Sequence, residues 1–297
     1  MIFYNLLQMR KALLPLLIVF SVLSCQKELS IENGGVVPDP DPTNPPIGTN
    51  CKVQQILAVD SLTGRGLLSF FTAFKNNGLA DRVTVYDSIS STVEFTAGFT
   101  YSALADTFFI SPTDYFVVDN NRRVNSFTTI DYSGNTLDTL TYRYQYDGNG
   151  YLTTKDLYVS SLPVPVIRFS YVWTGGNLVS VSGNTAIVGL TQKVLEATLE
   201  YNNSVTAKNF LPIYPDGFES SLFLMALNLG KPSTNLVRKM TIKTYDETGQ
   251  LDETLVSEYK NFKFSSDGYL TEWYISGDLL GGSPFVEGRS LFKYYCQ

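Results

Sequence analysis

Histidine is absent from all 297 residues. Its absence removes Ser-His and Cys-His nucleophile pairs and His-ligated zinc or iron. Charge is scarce as well: Asp, Glu, Lys and Arg make up 17%, and the excess is acidic, 28 against 22, for a net charge of −6. A surface of that sign does not neutralise phosphates, which excludes nucleic acid as a partner. Cysteine is limited to three positions, Cys25, Cys51 and Cys296. The one sustained apolar run, Ala12 to Leu23, is too short to span a bilayer comfortably. Aromatics are plentiful, with 19 Tyr, 19 Phe and 2 Trp. The hydrophobic fraction of 44% is that of a packed globular chain.

The N-terminal segment reads as an export signal. Arg10 and Lys11 precede the apolar stretch, and small residues follow before Cys25. Residues Met1 to Gln8 carry no charge and add nothing to such a signal, so Met9 is the alternative start. Val22-Leu23-Ser24-Cys25 resembles the bacterial lipobox. That resemblance implies cleavage before Cys25, diacylglyceryl attachment to its sulfur and acylation of the new amine. The membrane is then a partner through the lipid anchor, and the expected location is the cell envelope, as an outer-membrane lipoprotein on the periplasmic face or the cell surface. From Gln26 to Asn50 no apolar period is visible, and Pro38, Pro40, Pro42, Pro45 and Pro46 cluster. Such composition makes a semi-rigid spacer. The expected organisation is a signal peptide over 1–24, the lipidated cysteine and tether over 25–50, and a single antiparallel β domain over 51–297.

Beyond Cys51 the dominant signal is period-two alternation of strand-forming residues. In Thr141 to Tyr146, the residues Tyr142, Tyr144 and Tyr146 share one face, while Thr141, Arg143 and Gln145 share the other. Gly-centred turns separate such runs, at Asn76-Asn77-Gly78, Ser133-Gly134-Asn135, Asp147-Gly148-Asn149-Gly150, Gly175-Gly176-Asn177, Glu247-Thr248-Gly249 and Asp267-Gly268. Tight hairpins demand positive φ, which Asn and Gly tolerate. An apolar residue returns just after the turns, at Leu79, Leu137, Leu152, Leu178, Leu251 and Leu270, and each is expected to restart an inward face. The fold class is therefore all-β, an antiparallel meander of long hairpins that closes into a barrel or a strongly curled sheet. One segment departs from the alternation. Asp216 and Glu219 form a capping-box pattern ahead of Leu222-Phe223-Leu224-Met225-Ala226-Leu227, and Gly230 and Pro232 follow. The pattern predicts one short helix near 218–229, apolar on nearly every side and therefore buried.

Tyr144 to Thr153 looks like a YD-type hairpin repeat, Tyr-Asp-x-x-Gly-x-Leu, and Tyr245 to Leu251 matches it. These hairpins, with Gly230-Lys231-Pro232-Ser233-Thr234-Asn235-Leu236, are similar to an uncharacterised family of Bacteroidetes-type lipoproteins. That family's domain of unknown function is described as porin-like in fold. The resemblance implies a β-barrel-like architecture and brings no catalytic or binding residues.

Chemistry without histidine leaves paired carboxylates, as in glycoside hydrolysis. The candidates are Glu94, Asp106, Asp114, Glu219, Glu258 and Glu272. Most Asp here sit in turns, where they bond their own backbone. The oxygen-rich Asp147-Gly148-Asn149-Gly150 lacks the spaced ligand set of a calcium loop. The expectation is no enzyme, no catalytic residue, no metal and no cofactor. The function expected is a non-catalytic binding or structural module of unknown ligand, with a glycan, peptide or envelope protein as partner. The alternatives are a carboxylate-based glycan-acting hydrolase and a membrane-embedded β-barrel. The remaining cysteines, Cys51 at the start of the domain and Cys296 near its end, mature in an oxidising compartment where leftover thiols pair. A closed barrel makes the first and last strands neighbours, so a Cys51–Cys296 disulfide is predicted.

Overall fold

The structure is a computed structural model. It describes residues 51–296 apart from 61–62, 132–137, 188, 190, 217–222 and 279–284. The signal segment, Cys25, the tether, the Ser133-Gly134-Asn135 turn and Leu137, and Glu219 lie outside the described residues.

Among the described residues the chain forms strands β1 (Cys51–Val59), β2 (Gly66–Phe74), β3 (Ala80–Asp87), β4 (Thr92–Gly98), β5 (Thr100–Tyr101), β6 (Thr107–Phe109), β7 (Tyr115–Val118), β8 (Val124–Asp131), β9 (Asp138–Tyr146), β10 (Leu152–Val159), β11 (Ile167–Thr174), β12 (Asn177–Thr185), β13 (Lys193–Thr206), β14 (Asn235–Tyr245), β15 (Leu251–Phe264), β16 (Leu270–Gly277) and β17 (Gly288–Cys296). Pairing follows chain order, antiparallel throughout, and β1 also pairs with β17. The ladder therefore returns on itself. Its one discontinuity is a corner at Phe99: β4 pairs back to β3, and β5, one residue later, pairs on to β6. The result is a nearly closed barrel. At the seam Cys51 lies opposite Cys296, their Cα atoms are 4.1 Å apart, and a disulfide joins them. The bond closes a loop of 245 residues in sequence separation, for which the loop-entropy account gives about 5 kcal/mol.

The alternation expected from the sequence is present in the wall. Tyr142 and Tyr144 point inward and are buried, while Arg143 and Gln145 are exposed. Along neighbouring strands the inward aromatics stand directly opposite one another: Phe108 faces Phe116, Phe116 faces Phe127, and Phe127 faces Tyr142. Their rings stack at 5.0, 4.3 and 6.1 Å. Large rings fill the lumen where β5, β6 and β7 are only 2 to 4 residues long. Many outward positions are polar and some are paired across strands, as in Arg238–Glu200 at 2.5 Å, Arg168–Asp156 at 2.7 Å and Lys263–Glu272 at 2.9 Å, while Phe71, Val93 and Val172 are apolar and exposed.

The turns are built alike. At 75–79, 119–123, 147–151, 246–250 and 265–269 the first residue's N–H donates to the fifth carbonyl, and the fourth N–H donates back to the first carbonyl. In four of the five the fourth residue is a glycine with positive φ, Gly78, Gly150, Gly249 and Gly268; in the fifth it is Arg122, at φ 62°. The apolar residue after the turn is fully buried at Leu152, Leu178 and Leu270. Leu251 is a correction: it is 55% exposed, because residues 251–254 all project past the core at the start of the long β15.

The segment between β13 and β14 enters the barrel and fills it. Ala207 to Asp216 forms the incoming limb, and Phe223 onward forms the returning limb. Phe210 sits against Trp273 and Phe292, each at 5.2 Å. Phe223 sits against Phe99, Phe116 and Phe95 at 5.9 to 6.3 Å. The expected helix over 218–229 is corrected here. Its described part makes a single turn, with the N–H groups of Ala226 and Leu227 both bonding the Phe223 carbonyl, and then the backbone extends. No α-helix occurs among the described residues. Burial was correctly expected: Phe223, Leu224, Met225 and Leu229 are all enclosed. The segment faces wall side chains on several sides at once, so extended backbone satisfies it as well as a helix would.

Candidate functional site

Of the carboxylates singled out from the sequence, Glu219 lies outside the described residues, and Glu94, Asp106, Asp114 and Glu272 are engaged by close neighbours. Glu94 accepts from the Thr92 hydroxyl at 2.7 Å, and Asp106 from Ser102 at 2.7 Å. Asp114 accepts from Ser111 and Thr129. Glu258 is exposed on β15 opposite Lys239. Glu272 sits outside the wall between Arg289 at 2.7 Å and Lys263 at 2.9 Å. Partial burial pushes the Glu272 carboxyl upward, and the bonds from Arg289 and Lys263 outweigh it and hold the group below the ordinary glutamate value. Asp147 spends its carboxylate on the N–H groups of Asn149 and Tyr151, at 2.9 and 2.8 Å, which makes that loop a turn. Among the described residues no group of three acidic or cysteine side chains is placed to hold a metal ion.

The polar chemistry of the interior lies elsewhere. Lys155 on β10 points into the lumen, where its Nζ meets Asp216 Oδ2 at 2.6 Å and the Asp216 carbonyl at 3.1 Å. The two side chains are 3% and 1% exposed. Tyr171 donates to the same Oδ2, and the Phe169 ring lies 4.8 Å from the ammonium. This buried ion pair ties the incoming limb to the wall. Tyr214 donates to the Leu229 carbonyl at 2.9 Å, which joins the two limbs, and burial pushes its phenol well up.

The Gly-Lys-Pro-Ser-Thr-Asn-Leu stretch clasps the returning limb to two turns. Gly230 has φ 91°, and a Cβ there would lie 2.7 Å from the Tyr146 ring and 2.8 Å from the Gly150 carbonyl. Lys231 N–H bonds that carbonyl at 2.9 Å. Ser233 Oγ accepts from Leu178 N–H at 3.2 Å and meets the Tyr201 hydroxyl at 2.9 Å. Asn177 and Asn235 exchange two bonds of 2.9 Å.

Where the limbs do not meet the wall, a cavity of about 430 Å³ remains. It opens at the barrel end that carries Cys51, Cys296 and the 75–79 and 119–123 turns, beside the start of β1. Its floor is apolar, from Phe108, Phe210, Met225, Leu227 and Leu229. Its rim is polar, with Lys52, Arg122, Asn77, Asn209 and Asn228. Lys52 Nζ reaches the Gly78 carbonyl at 3.4 Å, and the Arg122 guanidinium donates to the Ala105 carbonyl. Among the described residues neither cation is paired with a carboxylate; Asp81 close by is taken by Lys75 at 3.7 Å. Loss of hydration in the mouth lowers the Lys52 pKa, and the Arg122 charge lowers it further. Tyr101, donating to the Ala80 carbonyl at 2.5 Å, is pushed up to about 12 by burial. No local sequence pattern marks this site. Lys52 and Arg122 are 70 positions apart in numbering, and the visible clue was an arginine where the other turns carry glycine.

No family model and no curated protein matches the chain. Among solved structures it is similar to a porin-like protein from Bacteroides uniformis, at 12% identity and TM-score 0.48, over 82% of this chain and 96% of that one. A porin-like protein from Bacteroides vulgatus aligns at 14% identity and TM-score 0.49, over 83% and 99%. TcdB2-TccC3 aligns at 11% identity and TM-score 0.22, over 73% of this chain and 15% of that one. The barrel described above rests on the chain's own strand pairing.

Proposed function

We propose that this protein is a lipid-anchored envelope protein and a non-catalytic binding module, its ligand held in the cavity between the lumen segment and the wall. The observation that carries this reading is the combination of an occupied lumen with an amphiphilic cavity at its end. A barrel filled by its own chain offers no through-path for solute. Its outward strand positions include Arg143, Arg168, Glu200, Arg238 and Glu258. Arg or Lys facing lipid at mid-bilayer depth costs about 2–4 kcal/mol each, which favours a water-facing wall held near the membrane by the Cys25 lipid. A cavity of about 430 Å³ with an apolar floor and few polar groups falls within the range of small-molecule sites.

Two measurements test this. Membrane fractionation of Cys25→Ala is expected to release folded protein into the soluble fraction; retention as an integral membrane protein contradicts the anchor. Titration of that soluble chain with the neutral fluorophore N-phenyl-1-naphthylamine is expected to show saturable binding that Met225→Trp abolishes by filling the cavity. Binding that is absent, or indifferent to Met225→Trp, contradicts the binding module.

A further inference from the structure

We infer that the cavity selects an anionic amphiphile, a single negatively charged head on an apolar tail, with Lys52 and Arg122 holding the head. This rests on the binding-module reading and names its ligand class. The floor is apolar, and the rim carries two cations that no carboxylate among the described residues neutralises. Cations on the outer wall such as Arg238 and Lys263 are instead matched to Glu200 and Glu272 across strands. Burial and the Arg122 charge lower the proton affinity of Lys52, and an anion at the rim relieves that repulsion.

The backbone at Arg122 adds an independent argument. Five turns share one hydrogen-bond pattern, and four of them place glycine at the left-handed fourth position. Two of the five, 75–79 and 119–123, border the cavity; the first keeps Gly78, and the second departs, with Arg122 at φ 62°. A residue bearing a Cβ is less favoured there than glycine, and backbone strain of this kind collects at functional sites. The rim thus keeps an unfavourable conformation that delivers a guanidinium to the cavity mouth. An apolar ligand alone gains nothing from it. A carboxylate- or phosphate-headed amphiphile does, because guanidinium recognises either head through paired N–H donors.

The test uses the full mature chain carrying Cys25→Ala, with isothermal titration by laurate, by dodecanol and by butyrate. Laurate is expected to bind at least tenfold more tightly than dodecanol, and butyrate not measurably. Arg122→Gly and Lys52→Gln are each expected to weaken laurate at least tenfold and leave dodecanol within twofold. Arg122→Gly is also expected to keep or raise the melting temperature, since glycine relaxes the turn, so that lost affinity is not lost folding. Co-sedimentation with phosphatidylglycerol vesicles separates the two sources of the head group: vesicle binding that laurate displaces identifies a membrane lipid, and laurate binding without it identifies a free acid. Equal affinity for laurate and dodecanol, unchanged in both variants, overturns the ligand class and leaves the binding module standing. Binding of neither, with the protein folded, overturns both.

Discussion

The barrel wall and the segment inside it are held by different forces. The wall is a continuous antiparallel ladder whose register follows from alternation: a one-residue slip would turn Tyr142 and Tyr144 outward and Arg143 inward. The lumen segment makes few backbone bonds to the wall. It is fixed by ring contacts at Phe210 and Phe223, by the buried Lys155–Asp216 pair and by the clasp at Gly230. A wall of many equivalent bonds tolerates the loss of any one. The lumen segment depends on a few contacts, each of which fails alone.

That contrast can be broken at several points. The largest effect is expected at the wall's single closure. Replacing both Cys51 and Cys296 with Ala should lower stability by up to about 5 kcal/mol, measured by chemical denaturation. A change below 1 kcal/mol would mean that the β1–β17 ladder closes the barrel unaided. Next comes the lumen ion pair. Lys155→Met leaves Asp216 buried and uncompensated, at a cost of about 3–5 kcal/mol, whereas Lys155→Met with Asp216→Leu should recover most of it. Equal losses in the single and double variants would show that the pair does not act as a unit. Gly230→Ala should cost about 1–3 kcal/mol through its positive φ and the Tyr146 contact, with the far-UV circular dichroism of the wall unchanged.

The smallest effect is expected on the outer wall. Glu272 has its pKa depressed in the folded state. Its contribution is therefore present above the ordinary glutamate pKa and disappears as pH falls through the lowered folded value. Glu272→Gln should flatten the acid limb of the stability–pH curve slightly and leave neutral pH nearly unaffected. A large loss at neutral pH would place the outer charges on a par with the lumen contacts.

The same contrast explains what the sequence made legible. Alternation and Gly-bearing turns encode a wall, so the meander, the inward Tyr142 and Tyr144 and the Cys51–Cys296 closure were all foreseeable. The corner at Phe99 was not, because β4 and β5 read as one run. The lumen segment was expected as a helix, since an apolar stretch with a capping pattern has no period that distinguishes burial among surrounding wall side chains from helical packing. Lys155 carries no local mark of an inward position, and its partner lies 61 residues away. The candidate carboxylates were visible by type, and those among the described residues are turn and wall residues. The cavity's cations were invisible because Lys52 and Arg122 meet only after the barrel closes.

The chain's own segment occupies the barrel. Thiol accessibility tests it most directly. In the Cys25→Ala background, with the Cys51–Cys296 disulfide intact, single cysteines replace Leu224, which is 7% exposed within the lumen and away from the cavity lining, and Leu104, which is 83% exposed outside. A bulky polyethylene-glycol maleimide should modify Leu104→Cys rapidly and leave Leu224→Cys unmodified until denaturant unfolds the protein. Equal labelling of both in the native state, with native circular dichroism preserved, would contradict an occupied lumen.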